Sequence, residues 1–181
     1  LKHIRSKILL LFCLVLMSNK SFAQLVPNFS ANITSGCAPL IVQFTDLSTG
    51  APTQWKWDLG NGTLSTQQNP IVTYFIPGSY TVKLVIQNGG GKDSITKVNY
   101  IIVNNTPTVN FSNNVASGCY PLKVQFTDLS TANSGTIVQW TWDFGDGTLS
   151  SLQNPLHTYV VAGNFGVTLQ VKNSAGCTKI L

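Results

Sequence analysis

The chain repeats itself, and the length of the repeat unit limits what it can fold into. Gly36–Thr49 recurs as Gly118–Thr131, 82 residues on, and only Ala38/Tyr120 and Ile41/Lys123 differ across the 14 positions. Trp55–Tyr74 recurs as Trp140–Tyr159, with 13 of 20 positions identical and the offset grown to 85. The growth comes from three extra residues in the second copy, around Ala132–Thr136, and an insertion tolerated there marks a surface loop. A unit of more than 80 residues is too long for one turn of a solenoid, so each copy is expected to be a complete domain.

Periodicity sets the class. Leu40, Val42 and Phe44 alternate with Ile41, Gln43 and Thr45, as Tyr80, Val82, Leu84 and Ile86 alternate with Thr81, Lys83, Val85 and Gln87. Period two with one apolar face is the pattern of a half-buried strand. Further strands are expected around Trp55–Trp57, Ile71–Phe75 and Ser94–Val103. Turns fall at Gly60-Asn61-Gly62, Asn69-Pro70, Pro77-Gly78 and Asn88–Gly91, where glycine, proline and asparagine fit the backbone angles required. Six or seven short strands in some 80 residues describe an all-β chain of two tandem immunoglobulin-like β-sandwiches. Asn104–Pro107 is the expected linker, short and stiffened by its proline.

The N-terminus carries an address. Lys2, Arg5 and Lys7 precede the apolar run Ile8–Met17, and small residues sit three and one positions before a cut after Ala23. That is the layout of a secretory signal peptide, and the run is too short to anchor the chain across a bilayer. The expected organisation is therefore signal peptide 1–23, first domain 24–103, linker 104–107 and second domain 108–181. The protein is expected to be secreted or cell-surface, with no transmembrane segment. Beyond residue 24 there are seven Lys, six Asp, no Arg and no Glu. A nucleic-acid surface needs clustered Lys and Arg against phosphate, so that partner class is excluded.

With Trp140-Thr141-Trp142-Asp143-Phe144-Gly145-Asp146-Gly147 and Asn154-Pro155-Leu156-His157-Thr158-Tyr159, the second copy resembles the polycystic kidney disease (PKD) domain family. The first copy matches through Trp55–Gly62, Asn69–Tyr74 and Pro77–Tyr80; Ala162 and Phe165 depart from the family's Pro-Gly-x-Tyr stretch. The resemblance implies an immunoglobulin-like sandwich with an extracellular, non-catalytic role. Such modules stand in tandem in bacterial surface proteins and beside the catalytic domains of secreted proteases and chitinases. The function expected is adhesion or spacing within a larger protein, in contact with its other domains and with extracellular polysaccharide or protein. The alternative is the substrate-engaging accessory region of a secreted hydrolase.

Candidate sites follow from the residues. Trp57 and Trp142 belong to the core. Trp55 and Trp140 share their face and are either packed or free to stack on a sugar ring. Asp143 and Asp146 are the candidate Ca²⁺ ligands, because carboxylate clusters on loops suit that ion; Asn61 replaces the second acid in the first copy. Against this, Asp58 and Asp143 are placed to accept backbone N–H bonds and fix a turn, and Asp46 and Asp128 look like turn residues of the same kind. Catalysis lacks parts. His157 is the sole histidine after the signal, its counterpart is Val72, and no paired nucleophile and base accompanies it. Export permits disulfides, and the expected bridge is Cys119–Cys177, with Cys37 left without a partner inside its own copy. The second copy is expected to lack most of its closing strand, and the chain to be the N-terminal part of a longer product.

Overall fold

The computed structural model describes residues 23–181, so the signal segment, apart from Ala23, lies outside the described residues. All regular structure among them is β, and none of their segments is a helix long and apolar enough to cross a membrane.

The first module packs two sheets face to face. One contains β1 (Phe29–Ala31), β3 (Leu40–Asp46) and β6 (Ile71–Tyr74), in the order β1-β3-β6. The other has the order β2-β8-β7-β4-β5, from β2 (Ser35–Cys37), β4 (Gln54–Asp58), β5 (Leu64–Ser65), β7 (Gly78–Asn88) and β8 (Gly91–Asn104). All pairings are antiparallel except β2 with β8, which run parallel from Ser35↔Ile102 to Cys37↔Asn104. The alternation read in β3 and β7 is the alternation buried: Leu40, Val42 and Phe44 face inward from one sheet, and Val82, Leu84 and Ile86 from the other. Trp57 closes the space between them with no solvent exposure, edge-on to Phe29 at 5.1 Å.

The second module repeats this plan. Strands β9 (Phe111–Asn113), β10 (Leu122–Asp128) and β13 (Leu156–Tyr159) form one sheet. The other is built from β11 (Ile137–Asp143), β12 (Leu149–Ser150), β14 (Thr168–Asn173) and β15 (Thr178–Ile180). Trp142 is again fully buried, 5.1 Å from Phe111 and 5.5 Å from Phe126. Its indole N–H donates to the Leu152 carbonyl, as that of Trp57 does to Gln67, so each buried ring has its polar atom satisfied.

The closing strand separates the modules. β8 runs for 14 residues and β15 for three. The strands on either side register this. β7 extends over 11 residues because Gly78–Tyr80 pair with Ile101–Val103, whereas β14 starts only at Thr168. Ser117–Cys119, the counterpart of β2, is not a strand, since no neighbour lies beside it. β8 also reaches Asn104, the first residue of the expected linker.

Candidate functional site

Two places concentrate the polar chemistry of each module, the turn after the tryptophan strand and the junction between modules. In the turn, Asp58 accepts the Gly60 N–H at 3.0 Å, and Asp143 accepts that of Gly145 at 2.9 Å. Gly60 and Gly145 have φ of 80° and 77°. A side chain on either would also run into a backbone carbonyl, that of Thr81 or Gly166, at 2.4 and 2.6 Å. Both glycines are therefore required, for conformation and for space.

Asp146, a candidate calcium ligand, is committed to protein partners. Its Oδ1 accepts the Thr148 N–H at 3.0 Å and the Thr148 hydroxyl at 2.6 Å, and its Oδ2 lies 2.8 Å from His157 Nε2. Hydrogen bonds from Thr148, opposed by partial burial and helped by His157, hold this carboxyl below its ordinary range. The His157 ring lies flat on Phe144 at 4.1 Å. In the first module Asn61 makes the corresponding bond to Thr63 at 3.1 Å, with Val72 where the histidine would be. Among the described residues no three His, Cys, Asp or Glu side chains gather as a metal site.

The outer tryptophans are half-buried and tied down. Trp55 donates its indole N–H to Asp46 Oδ2 at 2.7 Å, and Trp140 to Asp128 Oδ2 at 2.6 Å. The same aspartates close their own turns, through the backbone N–H of Ser48 and of Ser130. Asp46 and Asp128 are thus turn residues, as their sequence suggests, and also anchors for an indole. Gln68 Nε2 adds a bond to Asp46 at 3.1 Å. Burial raises the Asp46 carboxyl, but the bonds from Ser48, Trp55 and Gln68 outweigh it and leave the group below its usual value.

At the junction, the expected bridge is corrected. Cys177 pairs with Cys37 of the other module, Cα–Cα 5.6 Å across 140 residues of sequence, and Cys119 is an exposed free thiol. The reason is geometric. Cys37 lies beside Asn104, at the end of β8 from which the linker leaves. Cys177 aligns with Lys92, near the start of β8. Opposite ends of such a strand are on the order of 40 Å apart, whereas a disulfide needs its Cα atoms within roughly 7 Å. Cys119 and Cys177 therefore occupy opposite poles of one module, while Cys37 and Cys177 occupy facing poles of two.

The inserted loop completes this junction. Ser134 Oγ accepts the Asn105 N–H at 2.9 Å, and Asn133 Nδ2 donates to the Thr106 carbonyl at 2.9 Å. The buried Asn173 donates to the carbonyls of Asn105 and Ala132, at 3.0 and 2.9 Å, and accepts the Cys177 N–H at 2.9 Å. Asn88 makes the equivalent bonds to Ala23 and Gly50 in the first module. Each module thus holds the chain arriving at its near pole with one buried asparagine. The second adds the inserted loop to this arrangement, and the chain arriving there is that of the first module. The insertion is a surface loop, as its position in the repeat implies, and the alignment of Asn88 with Asn173 is the sequence signal for what it adjoins.

The family model described as PKD domain matches twice, over residues 25–103 and 104–180. The chain belongs to the PKD domain family. Among proteins with PKD-like stretches, collagenase ColQ1 of Bacillus cereus is 42% identical over 74 residues, 40% of this chain and 8% of the collagenase. The pre-pro-metalloprotease PrtV of Vibrio cholerae is 28% identical over 102 residues, 56% of this chain and 11% of the protease. The chain therefore spans only a small part of either relative. Among solved structures, the PKD1 domain of Vibrio anguillarum Epp is 32% identical, covering 43% of this chain and 88% of that domain with a TM-score of 0.39.

Proposed function

We propose that this pair of PKD domains is a non-catalytic, extracellular spacer and adhesion region of a larger protein, holding neighbouring domains at a fixed separation and angle. The observation that carries this reading is the cross-module disulfide Cys37–Cys177 together with the linker bonds from Ser134, Asn133 and Asn173. A flexible tether needs none of them. The disulfide also suits an exported protein. Spin labels placed on exposed positions of the two modules test the reading by pulsed dipolar spectroscopy. A single narrow distance distribution that broadens in the C37S/C177S variant is the expected result. An equally broad distribution in both would remove the spacer reading.

A second reading is favoured by the relatives, which are collagenases and a metalloprotease: the region assists a secreted hydrolase in holding a polymer. Sugar stacking on Trp55 and Trp140 is the weaker route to this, because both rings are half-buried against the core of their module and held there by the bonds to Asp46 and Asp128. Saturable retention of the purified chain on fibrillar collagen, with none on chitin, would favour it over pure spacing. Asp143 and Asp146 act in this proposal as turn closers rather than calcium ligands. The melting temperature of the second module should then be the same in EDTA and in excess calcium, and a rise in calcium would assign an ion site to them.

A further inference from the structure

The first module carries the dipeptide Asn-Gly twice, as Asn61-Gly62 in the turn after β4 and as Asn88-Gly89 in the turn after β7. Glycine leaves its nitrogen unhindered, so this is the pair in which a backbone nitrogen most readily attacks the side-chain amide before it. Both asparagines hold the same local bond. Asn61 Oδ1 accepts the Thr63 N–H at 3.1 Å, and Asn88 Oδ1 accepts the Gly90 N–H at 2.8 Å. Such a bond folds the side-chain carbonyl over the peptide that follows, the side from which the glycine nitrogen reaches Cγ. It also puts a donor on the oxygen where negative charge gathers during attack. The leaving groups differ. Asn88 is 9% exposed, and its Nδ2 donates to the carbonyls of Ala23 and Gly50, at 3.3 and 2.9 Å. Asn61 is partly exposed and Gly62 fully so. Neither Asn61 Nδ2 nor the Gly62 N–H makes a hydrogen bond among the described residues. Nothing stands within 4 Å of the place a Cβ on Gly62 would take. The second module lacks both sites: Asp146 has no amide to lose, and the fully buried Asn173 precedes Ser174.

We propose that Asn61 is a site of spontaneous intramolecular deamidation, which alters the first module's turn as the folded protein ages and spares Asn88. The Gly62 nitrogen gives up its proton to water and bonds to Asn61 Cγ. The Cγ–Nδ2 bond breaks, and Nδ2 takes up a proton and leaves as ammonia. Water then opens the five-membered succinimide. Attack at Cγ restores the ordinary main chain with an aspartate, and attack at the main-chain carbonyl gives isoaspartate, in which the chain runs through the side chain. One water is consumed and one ammonia released, with no oxidant or reductant.

The two products act differently on the fold. An aspartate keeps an oxygen for the Thr63 N–H and reproduces the pattern of Asp143–Gly147. Isoaspartate adds a methylene to the main chain inside a turn closed by the Leu59 N–H on the Thr63 carbonyl at 3.1 Å. Leu59 is fully buried, and its carbonyl accepts the Tyr74 hydroxyl at 2.8 Å, so the distortion reaches the core. The isoaspartyl form is a loosened first module beside an unchanged second one.

The test is to age the folded, disulfide-bonded chain in warm, mildly alkaline buffer and to follow both asparagines by peptide mapping that separates aspartyl from isoaspartyl forms. The N61D variant supplies the aspartyl standard. The Asn61 peptide should convert to both forms. The Asn88 peptide should convert roughly tenfold or more slowly, because Asn88 reacts only in molecules that have opened locally. In the urea-unfolded chain the two should convert at similar rates. Asn61 retained in the folded protein while the unfolded chain converts would overturn the proposal, as would equal conversion of Asn61 and Asn88 in the folded protein. Aspartate formed without isoaspartate would mean direct hydrolysis and would overturn the ring closure. G62A, whose methyl crowds the attacking nitrogen, should slow the Asn61 reaction roughly tenfold; an unchanged rate would again rule out attack by that nitrogen. The urea midpoint of the first module should fall in the isoaspartyl fraction and stay at the parent value in N61D. Equal midpoints in the two would overturn the loosening.

Discussion

The two modules share a core and differ at their poles. Inside, Trp57 and Trp142, Phe29 and Phe111, Phe44 and Phe126 occupy equivalent places at nearly the same spacings. Outside, the first module has a 14-residue closing strand and its far-pole cysteine in a bridge. The second has a free thiol at that pole, but a bridged cysteine and an inserted loop at its near pole. The core is built from residues that repeat, whereas the junction joins repeated residues, Cys37 and Asn173, to ones that do not repeat, Cys177 and the inserted loop. Sequence identity within a tandem array is therefore a poor guide to where such an array does its work.

The largest expected break in the comparison comes from removing the bridge. In the chain-entropy treatment, tying an unfolded module back to its folded neighbour is worth about 4 kcal/mol. The C37S/C177S variant should therefore lower the urea midpoints of both modules, and the C119S variant should lower neither. Equal midpoints in C37S/C177S and the parent would mean that the junction is held by the linker bonds alone.

Next come the indole anchors. Asp46→Ala and Asp128→Ala each leave a half-buried indole N–H and a turn N–H without an acceptor, at a cost of about 2 kcal/mol for bonds to a charged group. D46A should destabilise the first module only and D128A the second only, resolved by fluorescence-detected unfolding of single-module tryptophan variants. If D46A costs much more than D128A, the extra bond from Gln68, at 3.1 Å against 3.4 Å for Gln153, is a real difference between the modules.

Glycines sharpen the contrast within one turn. G145A meets both positive φ and the Gly166 carbonyl, whereas G147A meets only positive φ, with open space around the added carbon. Thermal melts should place G145A below G147A, with about 1 kcal/mol for the conformational strain common to both. Equal losses would mean that the segment carrying Gly166, just before β14, yields.

The core was legible because it depends on local alternation. The period of two in Leu40–Thr45 and Tyr80–Gln87, and the paired tryptophans, name the inward faces without knowledge of the partner sheet. The strands β1, β2 and β5 were not legible, being two or three residues long and held by neighbours rather than by their own pattern. The turn roles of Asp58 and Asp143 could be read from their distance to a glycine. The second role of Asp46 and Asp128 could not, since their indole partners lie nine and 12 residues away on another sheet. The bridge was misassigned for a related reason. Pairing cysteines by module ignores that Cys119 and Cys177 sit at opposite ends of the closing-strand position; aligning Cys177 with Lys92 shows that Cys37 has no partner in its own copy, but not that a strand's length separates the two poles.

The smallest effect is one of pH, and it differs in origin between the modules. Asp146 is held below its ordinary 3.8 by Thr148 first and then by His157, and Asp46 is lowered by its hydrogen bonds despite burial. A carboxyl lowered on folding contributes stability that is fully present above its unfolded value and is lost as pH falls through the folded one. Both modules should therefore weaken below about pH 4, where these carboxyls take up protons. The first should lose its Asp46 contribution and the second its Asp146 contribution. D146N should flatten the acid limb of the second module and leave the first unchanged, and D46N should do the reverse. H157V, which installs the residue of the first module, should flatten that limb only in part, because Thr148 contributes more than the histidine. Urea midpoints measured between pH 5 and pH 3 decide the matter: full flattening by H157V would make the histidine, and not the turn hydroxyl, the group that holds Asp146 ionised.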